Sequence, residues 1–297
     1  MIDPIATVLI PTHSRAASLR LAVASVLAQS IQNLEVIIIG DGVSDELRAT
    51  ALELQHYDDR VQFTDNPKSP NHGEAYRHDA IIAARSGAIF YLCDDDLFLR
   101  DHVKQLLELL ESRNFVQSLN GVIGPDDVIQ VFPANIADQF VLDAIVDSQP
   151  VFNSVGISGT AHRRDFYLRV NEPWTTTPTG AWPDHHQWKK LMRHPDFSGV
   201  TADHMTVVQL PTSTHGRETW SEQERLTELN KWAKLVAAPD AQEQMDRLVY
   251  AALLRQGRWD YIAARDGRLN LESLSWRITR PLRRFRAWTF RLGARRA

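Results

Sequence analysis

Cysteine is almost missing from these 297 residues: Cys93 stands alone. A single thiol excludes an internal disulfide framework and any multi-cysteine metal knot, and it fits a reducing compartment. Long apolar runs are missing too. No stretch reaches the roughly 18 uninterrupted apolar residues of a membrane-spanning helix. Met1–Pro4 leads into a strand-like run without a basic leader, so no secretory signal is expected. Strong charge of one sign is absent, since 33 Lys and Arg against 37 Asp and Glu leave −4. That excludes a chain that binds nucleic acid through its overall field. There is no internal repeat and no low-complexity linker. The expectation is a soluble, cytoplasmic protein.

What is present is a 43% hydrophobic chain, enough for one large domain or a domain plus an appendage. Its first hundred residues alternate two periods. Thr7–Pro11, Leu34–Ile39, Val61–Thr64 and Ala88–Cys93 are short apolar runs and read as strands. Arg15–Gln29, with Ser14 as N-cap, then Ser44–Leu54, Gly73–Arg85 and Asp101–Ser112 read as helices. Continuously apolar strands alternating with helices predict an α/β fold with a mostly parallel, Rossmann-like sheet covered on both faces. Ligands of such sheets bind at the carboxyl ends of the strands. The polar clusters His13–Arg15, Gly40–Asp45 and Asp94–Asp96 all fall there.

The second half is less regular. Gly121–Gly124 and Val128–Phe132 suggest a hairpin, Val151–Thr160 a strand, and Trp174–Trp182 a loop. A short helix is expected over His185–Met192, begun by Asp184. Val207–Leu210 suggests another strand, and Ser221–Val236 and Gln242–Gln256 two more helices.

The sharpest feature is Asp94-Asp95-Asp96 at the end of the fourth apolar run. Adjacent carboxylates repel and resist burial unless paired or bound to a metal. Hard divalent cations prefer such oxygen ligands. The plain alternative is a solvated acidic turn capping the next helix.

Four segments in order, VLIPTHSR (Val8–Arg15), SVLAQS (Ser25–Ser30), LEVIIIGDGVSD (Leu34–Asp45) and GAIFYLCDDDLFLRD (Gly87–Asp101), resemble the inverting family 2 glycosyltransferases of the GT-A fold. The resemblance covers about the first 110 residues. Later segments, such as SGTAHRRDFY (Ser158–Tyr167), resemble the family less closely. It implies a GT-A domain over 1–220, with a nucleotide-binding half (1–115) and an acceptor-binding half (116–220), and a C-terminal helical extension over 221–297.

It also implies a metal-dependent, inverting transfer of sugar from a nucleotide-diphospho donor, UDP-linked, to a hydroxyl of a saccharide or lipid-linked acceptor, with Mn2+ or Mg2+ as cofactor. Carried over by position, Pro11, Thr12, Arg15, Asp41, His78 and Asp94 would contact the nucleotide, with Arg77 the alternative to His78 for facing a phosphate. Asp95 would hold both metal and nucleotide, and His215 the metal. Asp184 would be the general base, and Trp182 and Arg217 would touch donor or acceptor. Two positions depart from the family pattern: Cys93 stands where the first acid of DxDD is usual, and Gly40 where DDGS has its first Asp. A non-catalytic nucleotide-sugar-binding module and a sugar nucleotidyltransferase are the alternatives. The second usually needs a Gly-rich loop that PTHSRAAS (Pro11–Ser18) lacks.

No acid follows Glu272, and eight arginines lie between Arg277 and Arg296 among Trp276, Leu282, Phe285, Trp288 and Leu292. A basic amphipathic helix of this kind fits an anionic membrane surface. Peripheral contact through 276–297 with the inner face of the plasma membrane is therefore expected, and no nucleic-acid partner.

Overall fold

The computed structural model describes residues 3–211 and 216–265, with side chains as far as residue 260. The chain order is β1 (Ala6–Thr12), α1 (Ala16–Leu27), β2 (Leu34–Asp41), α2 (Asp45–Tyr57), β3 (Val61–Asn66), α3 (Glu74–Ala83), β4 (Ala88–Tyr91), β5 (Leu97–Phe98), α4 (His102–Leu110), β6 (Phe115–Gln117), β7 (Asn120–Ile123), β8 (Ile129–Phe132), α5 (Gln139–Asp147), β9 (Thr160–Arg163), α6 (Arg164–Val170), α7 (Pro183–Met192), β10 (Gly199–Thr201), β11 (Val207–Val208), α8 (Glu222–Val236) and α9 (Ala241–Arg265).

Every residue of β2 is buried, because the strand is covered on both faces. Alternate side chains enter different cores. Val8, Ile10, Val36 and Ile38 pack with Leu19, Val23 and Leu47 of α1 and α2. Leu9, Ile37 and Ile39 pack with Ala80, Ile81, Phe166 and Trp188 of α3, α6 and α7. Each such fully buried aliphatic side chain contributes roughly 1.5–3 kcal/mol. Two buried acids interrupt the apolar run of β2, Asp41 at its end and Glu35 within it, whose carboxylate accepts from Thr7 Oγ1 and from Arg85 N and Nε.

The seven-stranded sheet runs β10-β6-β9-β4-β1-β2-β3. Strands β1 to β4 are parallel to their neighbours among themselves, while β9 lies antiparallel between β4 and β6. The chain builds outward from β1 through β2 to β3, then returns to place β4 on the other side of β1. That reversal opens a crevice beyond the carboxyl ends of β1 and β4, where ligands of open α/β sheets bind.

The expected hairpin is present as β7–β8. A third apolar cluster joins it to the C-terminal helices, through Ile123, Ile129 and Val131 against Leu229, Trp232, Met245 and Val249.

Three local expectations are corrected. Helix α1 begins at Ala16 with Arg15 as N-cap, and no side chain caps it, so Ser14 is not its cap. Helix α7 begins at Pro183 behind Trp182, since proline suits a first helical position, so Asp184 lies inside the first turn. Most of 151–160 is not strand. Asn153 Oδ1 turns back to Val155 N, and Gly159 has φ +81°, so extended pairing starts only at Thr160.

Candidate active site

A cleft of about 500 Å3 opens at the β1–β4 switch and is lined by Pro11, Thr12, Arg15, Asp41, Arg77, Asp94, Asp95 and Asp184, among others. Residues far apart in sequence meet here because β1, β2 and β4 end along one edge of the sheet. Thr12 closes the switch, donating Oγ1 to Asp94 Oδ2 at 2.6 Å. His13 Nδ1 stands 2.7 Å from the carbonyl of Asp41 and ties the β1 loop to the β2 loop.

The three aspartates are not equivalent. Asp94 is held by Thr12 and by Arg15 Nη1 at 3.1 Å. Asp96 points inward, with Ser158 Oγ donating to one oxygen at 2.6 Å and Leu210 N to the other at 3.0 Å. Asp95 lines the cleft, and Arg15 Nη1 lies 2.9 Å from it. Burial, and then the neighbouring carboxylates, push Asp95 up to about 8. Burial pushes Asp96 up to about 6 against its bonds to Ser158 and Leu210, and it raises Asp94 despite Arg15.

Ligand atoms of Cys93, Asp95 and Asp96 lie within 4.8 Å of one another. A divalent cation suits this set: crowded carboxylates are costly to ionise together, and a hard ion relieves that with oxygen ligands. The thiol is the poor member, since burial raises Cys93 well above its ordinary value and keeps it protonated.

Asp41 sits on the opposite wall. Burial opposes its charge, yet Lys68 Nζ at 2.5 Å and Ser69 N at 2.6 Å hold its carboxyl below the ordinary value. Gly73, at φ +66°, lets the chain pass close by; a Cβ there would lie 3.0 Å from Asp41 Cβ.

Asp184 is half-buried, and burial raises its pKa against a backbone bond from His185 N at 2.8 Å and the charge of Arg77.

Arg77 is only 5% exposed, and its Nε and Nη1 have no hydrogen-bond partner. Its guanidinium lies 4.8 Å over the Trp174 ring, and Nη2 donates to the His72 carbonyl. His78, one position on, turns away from the cleft and places Nδ1 3.0 Å from Tyr167 Oη. Adjacent helical residues do not share a face, and of the two alternatives it is Arg77 that lines the cleft.

The two ends of the Trp174–Trp182 loop differ. Trp182 is 54% exposed, next to Pro183 on the cleft wall. Trp174 is 2% exposed, donates Nε1 to Tyr91 Oη at 3.1 Å and packs edge-on against Trp188. Arg217 also differs from expectation. It is fully buried, with Nε and Nη2 on Glu228 and Nη1 on the Ile123 carbonyl, so it ties α8 to the β7–β8 hairpin. His215 and the tail 276–297 lie outside the described residues. Sequence reasoning left Ser158 and Lys68 unassigned, since their partners Asp96 and Asp41 are remote in sequence.

A mostly parallel α/β sheet with an acidic strand end at its switch point has its cleft where ligands of such sheets bind. Residues 7–140 match the model of glycosyl transferase family 2. An uncharacterised glycosyltransferase of Rickettsia bellii (strain RML369-C) is 31% identical over 117 residues, 39% of this chain and 16% of the relative. The GalNAc(5)-diNAcBac-PP-undecaprenol beta-1,3-glucosyltransferase of Campylobacter jejuni is 27% identical over 105 residues, 35% of this chain and 34% of the relative. These matches thus span about a sixth to a third of the relatives' own length.

Among solved structures, S. aureus TarS 1–349 in complex with UDP-GlcNAc aligns with a TM-score of 0.54 at 12% identity, over 84% of this chain and 71% of that one. The mannosyltransferase PcManGT of Pyrobaculum calidifontis, in complex with GDP-Man and Mn2+, aligns with a TM-score of 0.51 at 16% identity, over 93% and 83%. The likeness is one of fold, and it is the GT-A fold.

Proposed function

We propose that the chain is a metal-dependent inverting glycosyltransferase that moves a sugar from a UDP-linked donor to a hydroxyl of a saccharide or glycolipid acceptor. The observation that carries this reading is the meeting of Thr12, Asp41, Asp94, Asp95, Arg77 and Asp184 in one cleft at the switch of a domain that matches the family 2 model. The uridine assignment follows the TarS complexes, and the GDP-mannose complex of PcManGT makes guanosine donors the comparison to run beside it.

Asp95, with Asp96 behind it, would hold a Mn2+ or Mg2+ ion, which when bound neutralises charge on the diphosphate leaving group. The residues themselves do the rest. Pro11, Thr12 and Asp41 border the base and ribose. Arg77, whose buried Nε and Nη1 have no partner, lines the cleft and would turn them to the diphosphate or the sugar. Asp184, its pKa raised by burial, accepts the acceptor hydroxyl proton. The acceptor oxygen bonds to the anomeric carbon, the carbon–phosphate oxygen bond breaks on the opposite face, and the nucleoside diphosphate leaves. Trp182 at the rim offers an aromatic face to a sugar ring.

The reading places the enzyme in the cytoplasm at the inner face of the plasma membrane, held through 276–297. Among the described residues no helix is long and apolar enough to cross a membrane. Co-sedimentation with anionic vesicles, lost when the arginines of 276–297 are replaced, checks the membrane part.

The central test incubates the protein with Mn2+ and a panel of nucleotide sugars and follows the products. Nucleoside diphosphate release supports transfer, pyrophosphate release supports a nucleotidyltransferase, and donor binding without any product supports a binding module.

A further inference from the structure

At the end of β2 stands a carboxylate whose hydrogen-bonding capacity is almost spent. Each oxygen of an ionised carboxylate offers about two acceptor sites. Asp41 Oδ2 accepts from Lys68 Nζ at 2.5 Å and from Ser69 Oγ at 3.2 Å, so both of its sites are filled. Oδ1 accepts from Ser69 N at 2.6 Å, which leaves one site open. The groups on Oδ2 are themselves anchored. Ser69 Oγ accepts from Gly73 N at 2.7 Å, which turns its own proton to Asp41, and Lys68 Nζ also donates to the Asn71 carbonyl at 2.8 Å. Burial opposes the charge of Asp41, yet Lys68 and Ser69 hold its carboxyl below the ordinary value, so it accepts and does not donate.

Position and charge say which part of a nucleotide meets this group. Asp41 and Asp95 line the same cleft. An ionised carboxylate repels phosphate. The diphosphate therefore belongs toward Asp95, where a cation can offset it, and the base toward Asp41, with Pro11 and Ile39 as apolar surface beside it. Bases differ in what they bring to a carboxylate. Uracil brings one ring N–H. Guanine brings a ring N–H and an adjacent amino group, which together pair with both oxygens. With Oδ2 filled, that amino group would be left without a partner, next to the Lys68 ammonium.

We propose that Lys68 and Ser69 select the base: by filling Oδ2 they leave Asp41 able to take a single ring N–H, as uracil presents, and unable to take the paired N–H groups of guanine. This inference rests on the nucleotide-sugar reading for placing a base in the cleft, but its measurement needs no sugar transfer.

The test is calorimetric titration of the full chain, in Mn2+ and without acceptor, with UDP, GDP and inosine diphosphate (IDP). Hypoxanthine has the ring size and ring N–H of guanine but no amino group, so IDP against GDP separates the N–H count from size. UDP is expected to bind at least about tenfold more tightly than GDP, and IDP about fivefold more tightly than GDP, since a polar group left unpaired on burial is costly. Ser69→Ala empties one site on Oδ2 and Lys68→Met the other. Each should lower the IDP-to-GDP affinity ratio about threefold or more. A general loosening of the cleft would weaken all three nucleotides alike and keep the ratio. Thermal melts show which variants are folded, and Ser69→Ala is the smaller change.

Equal affinities for IDP and GDP in the wild type, or a wild-type ratio in folded Ser69→Ala or Lys68→Met, overturns the inference. So does a ratio that survives in folded Asp41→Ala, which places the base elsewhere. Turnover of a nucleotide sugar by a chain that does not separate IDP from GDP sinks the base selection and keeps the glycosyltransferase reading. The expected ratios with no turnover of any nucleotide sugar count against that reading and leave Lys68 and Ser69 selecting the base in a binding module. No binding of any of the three nucleotides overturns both.

Discussion

A single nitrogen of Arg15, Nη1, lies 3.1 Å from Asp94 and 2.9 Å from Asp95. Under the proposed function this cation would border the metal and diphosphate, compete with the metal for Asp95 and attract the donor. Arg15→Ala should therefore split two affinities. Mn2+ should bind about three- to tenfold more tightly at pH 8, because a like charge is removed from beside its ligand. The KM for donor should rise about tenfold, because a phosphate-facing cation is lost. Calorimetry with Mn2+ and steady-state kinetics read the two effects; weaker Mn2+ binding in the variant would contradict the arrangement.

Asp184 gives a separate kinetic signature. Asp184→Asn keeps the shape and the bond from His185 N, but it cannot take a proton. The expected loss is about 10²–10⁴-fold in kcat with donor binding preserved. Because burial raises the wild-type carboxyl, the acidic limb of the kcat/KM profile should lie above the ordinary carboxylate range. Activity rises with pH through that limb as the base ionises. Donor-only hydrolysis that survives while acceptor transfer is lost would strengthen the assignment; wild-type kcat in the variant moves the base elsewhere.

The strands, the sheet and most of the cleft were legible because they rest on local pattern. Continuous apolar runs mark β1, β2 and β4, and the polar residues after them, Thr12, Asp41 and Asp94, had to share an edge once the strands were parallel. What was missed depends on contacts between distant segments. His78 and Arg77 differ by one helical position, and helix phase is settled only by packing on Trp174 and Tyr167. Trp174 sits in a Pro- and Thr-rich stretch that reads as surface loop, but Tyr91 and Trp188 bury it. Arg217 read as a loop cation facing phosphate until Glu228, on α8, was seen to hold it.

The acidic cluster should make stability depend on pH and on metal in a linked way. Asp95 is raised from 3.8 to about 8 in the folded chain. A raised folded-state pKa means that folding takes up a proton between those values. The stabilisation is complete below about 4 and is lost as pH rises through about 8. Between about pH 6.5 and 7.5 stability should fall at close to about 1.4 kcal/mol per pH unit in EDTA, with the slope down to about half of that at pH 8 and fading above it. His102 and His162, lowered to about 3 and about 4 by burial, act with the opposite sign and mainly below 6.5. Saturating Mn2+ replaces the proton and should stabilise the protein most at the alkaline end, while Asp95→Asn should flatten the slope. Urea melts across this range check it; a wild-type slope in Asp95→Asn would move the titration to another group.

The Arg217–Glu228 pair is a structural tie. Arg217 Nε donates to Glu228 Oε2 at 2.6 Å and Nη1 to the Ile123 carbonyl at 2.8 Å, all away from solvent. Removing one partner leaves a buried charge uncompensated, which costs about 3–5 kcal/mol. Arg217→Met should therefore unfold at markedly lower denaturant, whereas the double variant Arg217→Met/Glu228→Leu should recover most of the loss, since apolar replacement of a buried pair is often neutral. Donor KM in the double variant should match the wild type, because the guanidinium is committed to Glu228 and not to the cleft. A double variant with restored stability but a tenfold higher donor KM would return Arg217 to the donor site, as its place in the sequence first suggested.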